Sequence, residues 1–277
     1  MPRHCVFCSE RKLTWEDIWP RWFKKWLRSQ PQLPQTFSLT YMRNGQTTVI
    51  RKNFPTVGGK RRIACERCNG RLGNLQNAAS KILKPMLNHP YASPQVRVEL
   101  VPTAQTILAA WAVMTSMTSE FLGWPLPDND ETRFTQTERV QFRRTLRPLR
   151  DMDICSTQYV GPNATGAFFA HSAPPILDYS TNEPTGEVAD LLVVTLCLFH
   201  VCFQVAFWRD PDTRFASGGQ TVLGGVAAPA GVLVPIWPAK ETQQWPAGYS
   251  VGEDTFEDFC RRWDPVDPQD EPRSPAV

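Results

Sequence analysis

Cys5-Val6-Phe7-Cys8 and Cys65-Glu66-Arg67-Cys68 are the two stretches on which the fold turns. Two residues between paired cysteines let both thiolates point into one tetrahedral site, and two such turns complete a four-cysteine shell for zinc. Residues 9–64 separate the pairs, a much longer gap than in a compact zinc ribbon, so the ion would tie the start of the chain to a distant turn. A four-cysteine shell leaves no open coordination position, which predicts an ion that holds the fold and does no chemistry. The competing readings are two unrelated C-x2-C turns or redox pairs. The remaining cysteines, Cys155, Cys197, Cys202 and Cys260, are scattered and read as small buried apolar residues in a reducing compartment.

Charge divides the chain the same way. Residues 1–84 carry 17 Lys and Arg against 4 Asp and Glu, and residues 85–277 carry 13 against 23, so +13 and −10 add to the net +3. The basic end suits an anionic partner. The acidic end argues against nucleic acid and suits a protein partner or docking against the basic module. At 277 residues and 42% hydrophobic content the chain is long and apolar enough for one or two domains with a substantial core, which excludes a wholly disordered protein. Met1-Pro-Arg-His-Cys5 leads into a polar segment with no apolar core, so the expectation is a cytoplasmic protein without a secretory leader. Leu191–Trp208 is the one run of membrane-span length. Its Thr195, His200 and Gln204 and its β-branched and aromatic side chains read as a buried strand, or two in sequence.

Pro20 suits the first turn of a helix running to about Arg28, with Trp22, Phe23, Trp26 and Leu27 on one face and cations on the other. Residues 29–64 read as loops and short strands around Asn44-Gly45 and Thr47–Ile50. Leu75–Leu87 reads as a helix that Pro85 disturbs, and the prolines of 88–102 mark a boundary. Thr103–Phe121 is the clearest helix, with Thr103 as N-cap, and Glu131–Arg147 is a second, charged one. From Asp153 the texture turns to strand: Ile154–Val160, Gly166–His171, Ala189–Trp208 and Val222–Ile236. Asp254–Trp263 reads as a closing helix. The expected fold class is α+β: a small zinc-stabilised domain over 1–90, a larger helix-then-strand partner or regulatory domain over 91–263, and a disordered tail over 264–277.

Thr14-Trp15-Glu16-Asp17-Ile18-Trp19-Pro20-Arg21-Trp22 follows the first cysteine pair, and Asn69-Gly70-Arg71-Leu72-Gly73-Asn74-Leu75-Gln76 follows the second. Taken with both pairs, they resemble the zinc-knuckled HNH endonucleases of the ββα-metal type. The closest pattern is a bacterial subset running Cys-x2-Cys, Thr-x-Glu-His-x-x-Pro-x-Trp, then Cys-x2-Cys-Asn. Thr14, Glu16, Pro20, Trp22 and Asn69 fall in register with it, over roughly residues 3–87. The resemblance implies a ββα-metal module and a metal-dependent DNA endonuclease that hydrolyses phosphodiesters. Glu16 and Asn69 would hold Mg²⁺ or Mn²⁺, and Asp17 would stand at the position of the family's general-base His. A further acidic position of the subset is Gln76 here.

That exchange matters chemically. Hydrolysis needs a base near neutral pKa to take the proton of the attacking water, and histidine starts near 6.5 where aspartate starts near 3.9. Asp17 therefore implies an impaired nuclease, unless it adds a second metal-binding oxygen beside Glu16. The alternatives are a catalytically inactive, nuclease-derived DNA- or RNA-binding protein and a protein-interaction module. His4, His89, His171 and His200 sit in no recognisable constellation, nor do Asp151, Asp153 and Asp178. Arg21, Lys24, Lys25, Arg28, Lys60, Arg61, Arg62, Arg67 and Arg71, with Arg51 and Lys52, predict salt-dependent binding to a phosphate backbone. DNA rather than RNA follows from the resemblance alone.

Overall fold

The computed structural model describes residues 4–17, 19–30, 36–43, 46–55, 60–88, 97–121, 132, 134–160, 167–172, 191–209, 234–246 and 250–252; for 36–43, 46–55, 167–172 and Leu191 it describes the backbone alone. Mixed helix and strand make it an α+β fold. In the N-terminal part, strand β1 (Leu13–Asp17) pairs antiparallel with β4 (Lys60–Cys65), with Leu13 opposite Cys65 and Asp17 opposite Lys60 and an irregularity between Thr14 and Trp15. Between them lie helix α1 (Arg21–Arg28) and an antiparallel hairpin of β2 (Thr36–Arg43) and β3 (Gln46–Pro55), longer strands than the short runs expected there. Asn44-Gly45 itself falls outside the described residues.

Proline 20 sits at the N-cap of α1 with φ −60°, preset for the helix that follows. Phe23 and Leu27 are buried, and Trp22 and Trp26 half-buried, on the expected apolar face. Helix α2 (Glu66–Leu87) ends where expected but departs from expectation in its start and in its passage through Pro85. It begins immediately after Cys65 rather than at Leu75, because β4 leads straight into it through an extended Cys65 backbone. It also continues through Pro85, whose missing N–H falls near the C-terminal end, where buried Leu83, Met86 and Leu87 hold the turn.

Beyond it come β5 (Val98–Leu100), α3 (Pro102–Ser119), α4 (Gln136–Thr145), β6 (Met152–Val160), β7 (Ala167–Ser172), β8 (Leu191–Leu198), β9 (Val201–Trp208), β10 (Val234–Trp237), β11 (Gln243–Trp245) and β12 (Val251–Gly252). The large sheet runs β10-β6-β9-β8-β7 with antiparallel neighbours, and β12 lies parallel on β6, while β11 pairs with β5. Leu191–Trp208 is thus a hairpin of two strands, and every residue of β9 is buried. Among the described residues no helix is long and apolar enough to cross a membrane. The N-cap of α3 is Val101, not Thr103, with Pro102 at the first helical position, a place where its missing N–H costs nothing. Residues Leu108–Ser119 are buried all round, because α3 packs on α2 on one side and on the sheet on the other. Helix α4 starts on a capping box, Thr135 Oγ1 accepting from the Glu138 N–H while Glu138 reaches back to the Thr135 N–H.

The tight turn between β8 and β9 reaches the N-terminal part. Phe199, at φ 53°, packs its ring 5.6 Å from Trp26 and 6.1 Å from Phe23, and His200 Nε2 lies 2.8 Å from the Met86 carbonyl of α2. One apolar core accordingly runs from Cys5 to Trp245. His200 is a partnered core residue, and Cys155, Cys197 and Cys202 are buried free thiols, as expected. Asp151 lies in the turn before β6 and Asp153 within that strand. The stretches Val222–Leu233, Asp254–Trp263 and 264–277, with Cys260, His89 and Asp178, fall outside the described residues, and the His171 side chain is not described.

Glu120, just past α3, and Arg139 of α4 form a buried ion pair at 2.5 Å, with Glu120 Oε1 also accepting from the Phe134 N–H. A buried charge without its partner is far costlier than the intact pair is favourable. Arg139→Met is therefore expected to cost about 3–5 kcal/mol, read as a lower urea midpoint at unchanged slope. The paired replacement Glu120→Leu with Arg139→Met should regain part of that loss.

Candidate metal centre and the ribbon beside it

The first cysteine pair sits in a tight turn. The Cys8 and Ser9 N–H groups both donate to the Cys5 carbonyl at 3.3 and 2.8 Å, and Ser9 takes the left-handed conformation at φ 63°. The Cys5 N–H closes back on the Glu10 carbonyl at 2.7 Å, and the Val6 N–H donates to the Ile63 carbonyl of β4 at 2.9 Å. This last bond lays the turn across the end of the ribbon. There Cys65 ends β4 as the N-cap of α2, and Cys68 stands in the first turn of the helix.

All four sulfurs lie within 4.8 Å of one another, with Cys8 Sγ and Cys65 Sγ 3.5 Å apart, and none forms a disulfide. Sulfurs around a tetrahedral zinc at its usual bond length stand about 3.8 Å apart. The spacing, the soft donors and the number four together fit a metal ion such as zinc. Burial pushes the Cys5 and Cys68 thiols up. At Cys8 burial acts in the same upward direction, but hydrogen bonds from Glu10 and the neighbouring thiols outweigh it and bring the group down to about 7. A cluster so crowded favours a cation that accepts all four as thiolates. Among the described residues this is the only group of three or more His, Cys, Asp or Glu side chains with converging donors.

The ribbon places the other site residues. Glu16 on β1 is buried and takes a hydrogen bond from Gln76 of α2. Burial first, and the adjacent Asp17 charge second, push its carboxyl from 4.5 up to about 7, against the pull of Gln76 and Arg21. Asp17 engages a different element. Its Oδ1 accepts from Lys24 Nζ of α1 at 2.7 Å, with Lys60 Nζ at 4.0 Å, and its Oδ2 lies 3.6 Å from Arg21 Nε. Successive residues of a strand point to opposite faces, and the two carboxylates follow that rule. Asn69 of α2 donates through Nδ2 to Thr14 Oγ1 at 3.1 Å and toward the Trp15 carbonyl at 3.5 Å, while Thr14 Oγ1 donates to the Ala64 carbonyl at 3.0 Å. Asn69 thereby locks helix to ribbon at the irregularity of β1. For a second, divalent ion the fit is poor: Glu16 and Asp17 diverge, and each already has a partner.

The predicted cations fall into two groups. Lys24 is held by Asp17, Arg61 donates through Nε to the Phe121 carbonyl at 2.8 Å, and Arg71 donates to the Arg144 carbonyl at 3.3 Å. The latter two fasten the ribbon and α2 to the second half of the chain. Arg21, Lys25 and Arg28 line one exposed edge of α1, and Lys60, Arg62 and Arg67 are exposed on β4 and α2. Arg51 and Lys52 lie on β3, where side chains are not described, and His4 is exposed beside the cysteine turn. Two participants escaped the sequence reading: Lys24 as the partner of Asp17, and Trp15, 59% exposed with Arg62 over its ring at 5.4 Å. The signal for Trp15 was the period-two alternation that turns it away from Glu16.

Purified protein is expected to carry about one zinc ion per chain, lost in Cys65→Ser, with a fall in Tm on chelation. Metal analysis beside thermal melting checks both. Glu16 makes a second prediction. Its folded pKa is raised, so its contribution to stability is full below 4.5, declines as pH climbs, and is gone above about 7. The difference in unfolding free energy between wild type and Glu16→Gln should change across that interval and stay flat above it.

Compared with protein-family models, with characterised proteins and with solved structures, the chain finds no match in any of the three.

Proposed function

We propose that the N-terminal part is an HNH-like, zinc-stabilised nucleic-acid-binding module that grips a phosphate backbone and does not cut it. The observation that carries this reading is the clamp on Asp17. At the position of the family's general base stands a carboxylate held by Lys24 at 2.7 Å and flanked by Arg21 and Lys60. So paired, this carboxylate serves to position cations at the surface of the module. Arg21, Lys25, Arg28, Lys60, Arg62 and Arg67 remain exposed to meet phosphates. Zinc in a closed four-cysteine shell supports the turn from β4 into α2 and takes no part in a reaction. The acidic second half braces the module through the Arg61 and Arg71 contacts and leaves the exposed cations to the ligand.

One observation favours a second reading, that of a metal-dependent DNA endonuclease. Glu16 is buried, raised to about 7, and lies on the strand that Asn69 fastens to α2, so it has the pKa of an acid–base group at neutral pH.

Two measurements separate these. Binding to a DNA duplex should weaken steeply with salt, and Lys25→Ala or Arg28→Ala should each reduce the slope of log K on log salt by about 1, whatever the sequence. In a plasmid-nicking assay with Mg²⁺ or Mn²⁺, wild type is expected to leave the plasmid intact. Nicking by wild type that Glu16→Ala abolishes would replace the binding reading with the endonuclease. Cutting by Asp17→His alone would support descent from a nuclease that lost its base. No binding to DNA or RNA at low salt overturns both and leaves a protein-interaction module.

A further inference from the structure

Among the residues whose side chains are described, Trp15 is the one exposed aromatic, at 59%; the other exposed large apolar residues are Val101 and Val160. The molecule buries or half-buries its remaining described tryptophans, so an indole left in water, just past the irregularity of β1, stands apart from them. Its surroundings are specific. Trp15 pairs across the ribbon with Arg62, whose guanidinium lies over the ring at 5.4 Å, and two residues along on the same face Asp17 pairs with Lys60. Residues two apart on a strand stand roughly 7 Å from each other. Arg21, also exposed, approaches the same Asp17 carboxylate. The outer face of the ribbon thus presents one indole, one carboxylate and the cations Arg21, Lys24, Lys60 and Arg62.

We propose that this face is a stacking platform for unpaired nucleotides, with a base lying on Trp15 beside Arg62 and the strand's phosphates meeting Lys60 and Arg21. The inference rests on the nucleic-acid reading above and narrows it, from a charged surface for any phosphate backbone to a site that needs an accessible base. A duplex hides its base faces in the stack and offers the indole nothing, whereas an unpaired base of any kind presents a π-face. Arg62 favours the arrangement twice, holding the indole from one side by cation–π attraction and adding positive charge beside the strand. Asp17 fixes the spacing of the cations and lowers the local charge. The remaining excess is positive, which complements a polyanion, and the indole adds an apolar face that an unpaired base can cover.

The test compares three probes by fluorescence anisotropy at low salt: a labelled oligothymidylate, a strand of equal length with abasic sites, and a duplex. Trp15→Ala is expected to weaken oligothymidylate binding roughly ten-fold or more while leaving the abasic strand and the duplex unchanged. Trp15→Phe should restore most of the loss. Because Trp15 is exposed, Trp15→Ala should melt within a few degrees of wild type, and the Phe variant controls for any change in fold. If Trp15→Ala binds oligothymidylate as wild type does, the stacking platform is overturned and the phosphate-binding module stands. Equal losses on all three probes also overturn it, because they assign Trp15 to the fold or to the charge. If wild type binds none of the three, the nucleic-acid reading itself falls.

Discussion

Four buried or half-buried sulfurs within 4.8 Å of one another are the constraint from which the N-terminal half is built. Thiolates that close repel, and a cation among them reverses the sign of the interaction. Once that point is fixed, the first residues of the chain must lie across the end of β4, as the Val6–Ile63 bond records, and β1 must run back beside β4 from Leu13 opposite Cys65. The entropy of closing a loop grows slowly with its length, so a helix and a hairpin can sit between the two cysteine pairs at little added cost. The same point sets the helix: Cys65 and Cys68 must face one centre, and the first turn of α2 brings them there.

Much of this was legible because it depends on local chemistry. The C-x2-C spacing, Pro20 ahead of α1, the β-branched and aromatic run of β8–β9 and the apolar length of α3 each carry their structure in adjacent residues. The misreadings share one physical origin, which is tertiary context. Helix α2 starts at Glu66 because Cys65 leads out of a strand held by a distant partner, and it survives Pro85 because the core behind it is apolar. Thr103 has the chemistry of a cap, yet Pro102 already occupies the first turn. At the candidate site, the resemblance singled out Glu16, Asp17 and Asn69, but neither the strand and helix turn that carry them nor their partners were readable. Lys24 and Gln76 meet the two carboxylates only through the packing of α1 and α2 on the ribbon.

Charge shows the same difference between composition and structure. The +13 of the first 84 residues is not one surface. Arg61 and Arg71 give their hydrogen bonds to carbonyls of the second half, and Lys24 faces a carboxylate. What remains exposed is arranged along α1 and the outer side of the ribbon, where the strand's alternation separates it from buried Glu16. A basic half-chain is therefore partly cement and partly surface, and a count of lysines and arginines does not separate the two.

The turn at Phe199 and His200 governs when, and not only how, the protein becomes itself. Trp26 and Phe23 are made early on a ribosome, while the Phe199 ring that packs against both comes from far along the chain. Until β8 and β9 have emerged, the α1 aromatics have only one another and the Met86 carbonyl lacks its imidazole. Contacts so distant in sequence form late and slowly. The four-cysteine end can gather its sulfurs first, but one side of its aromatic cluster stays uncovered until the later hairpin arrives to pack on it.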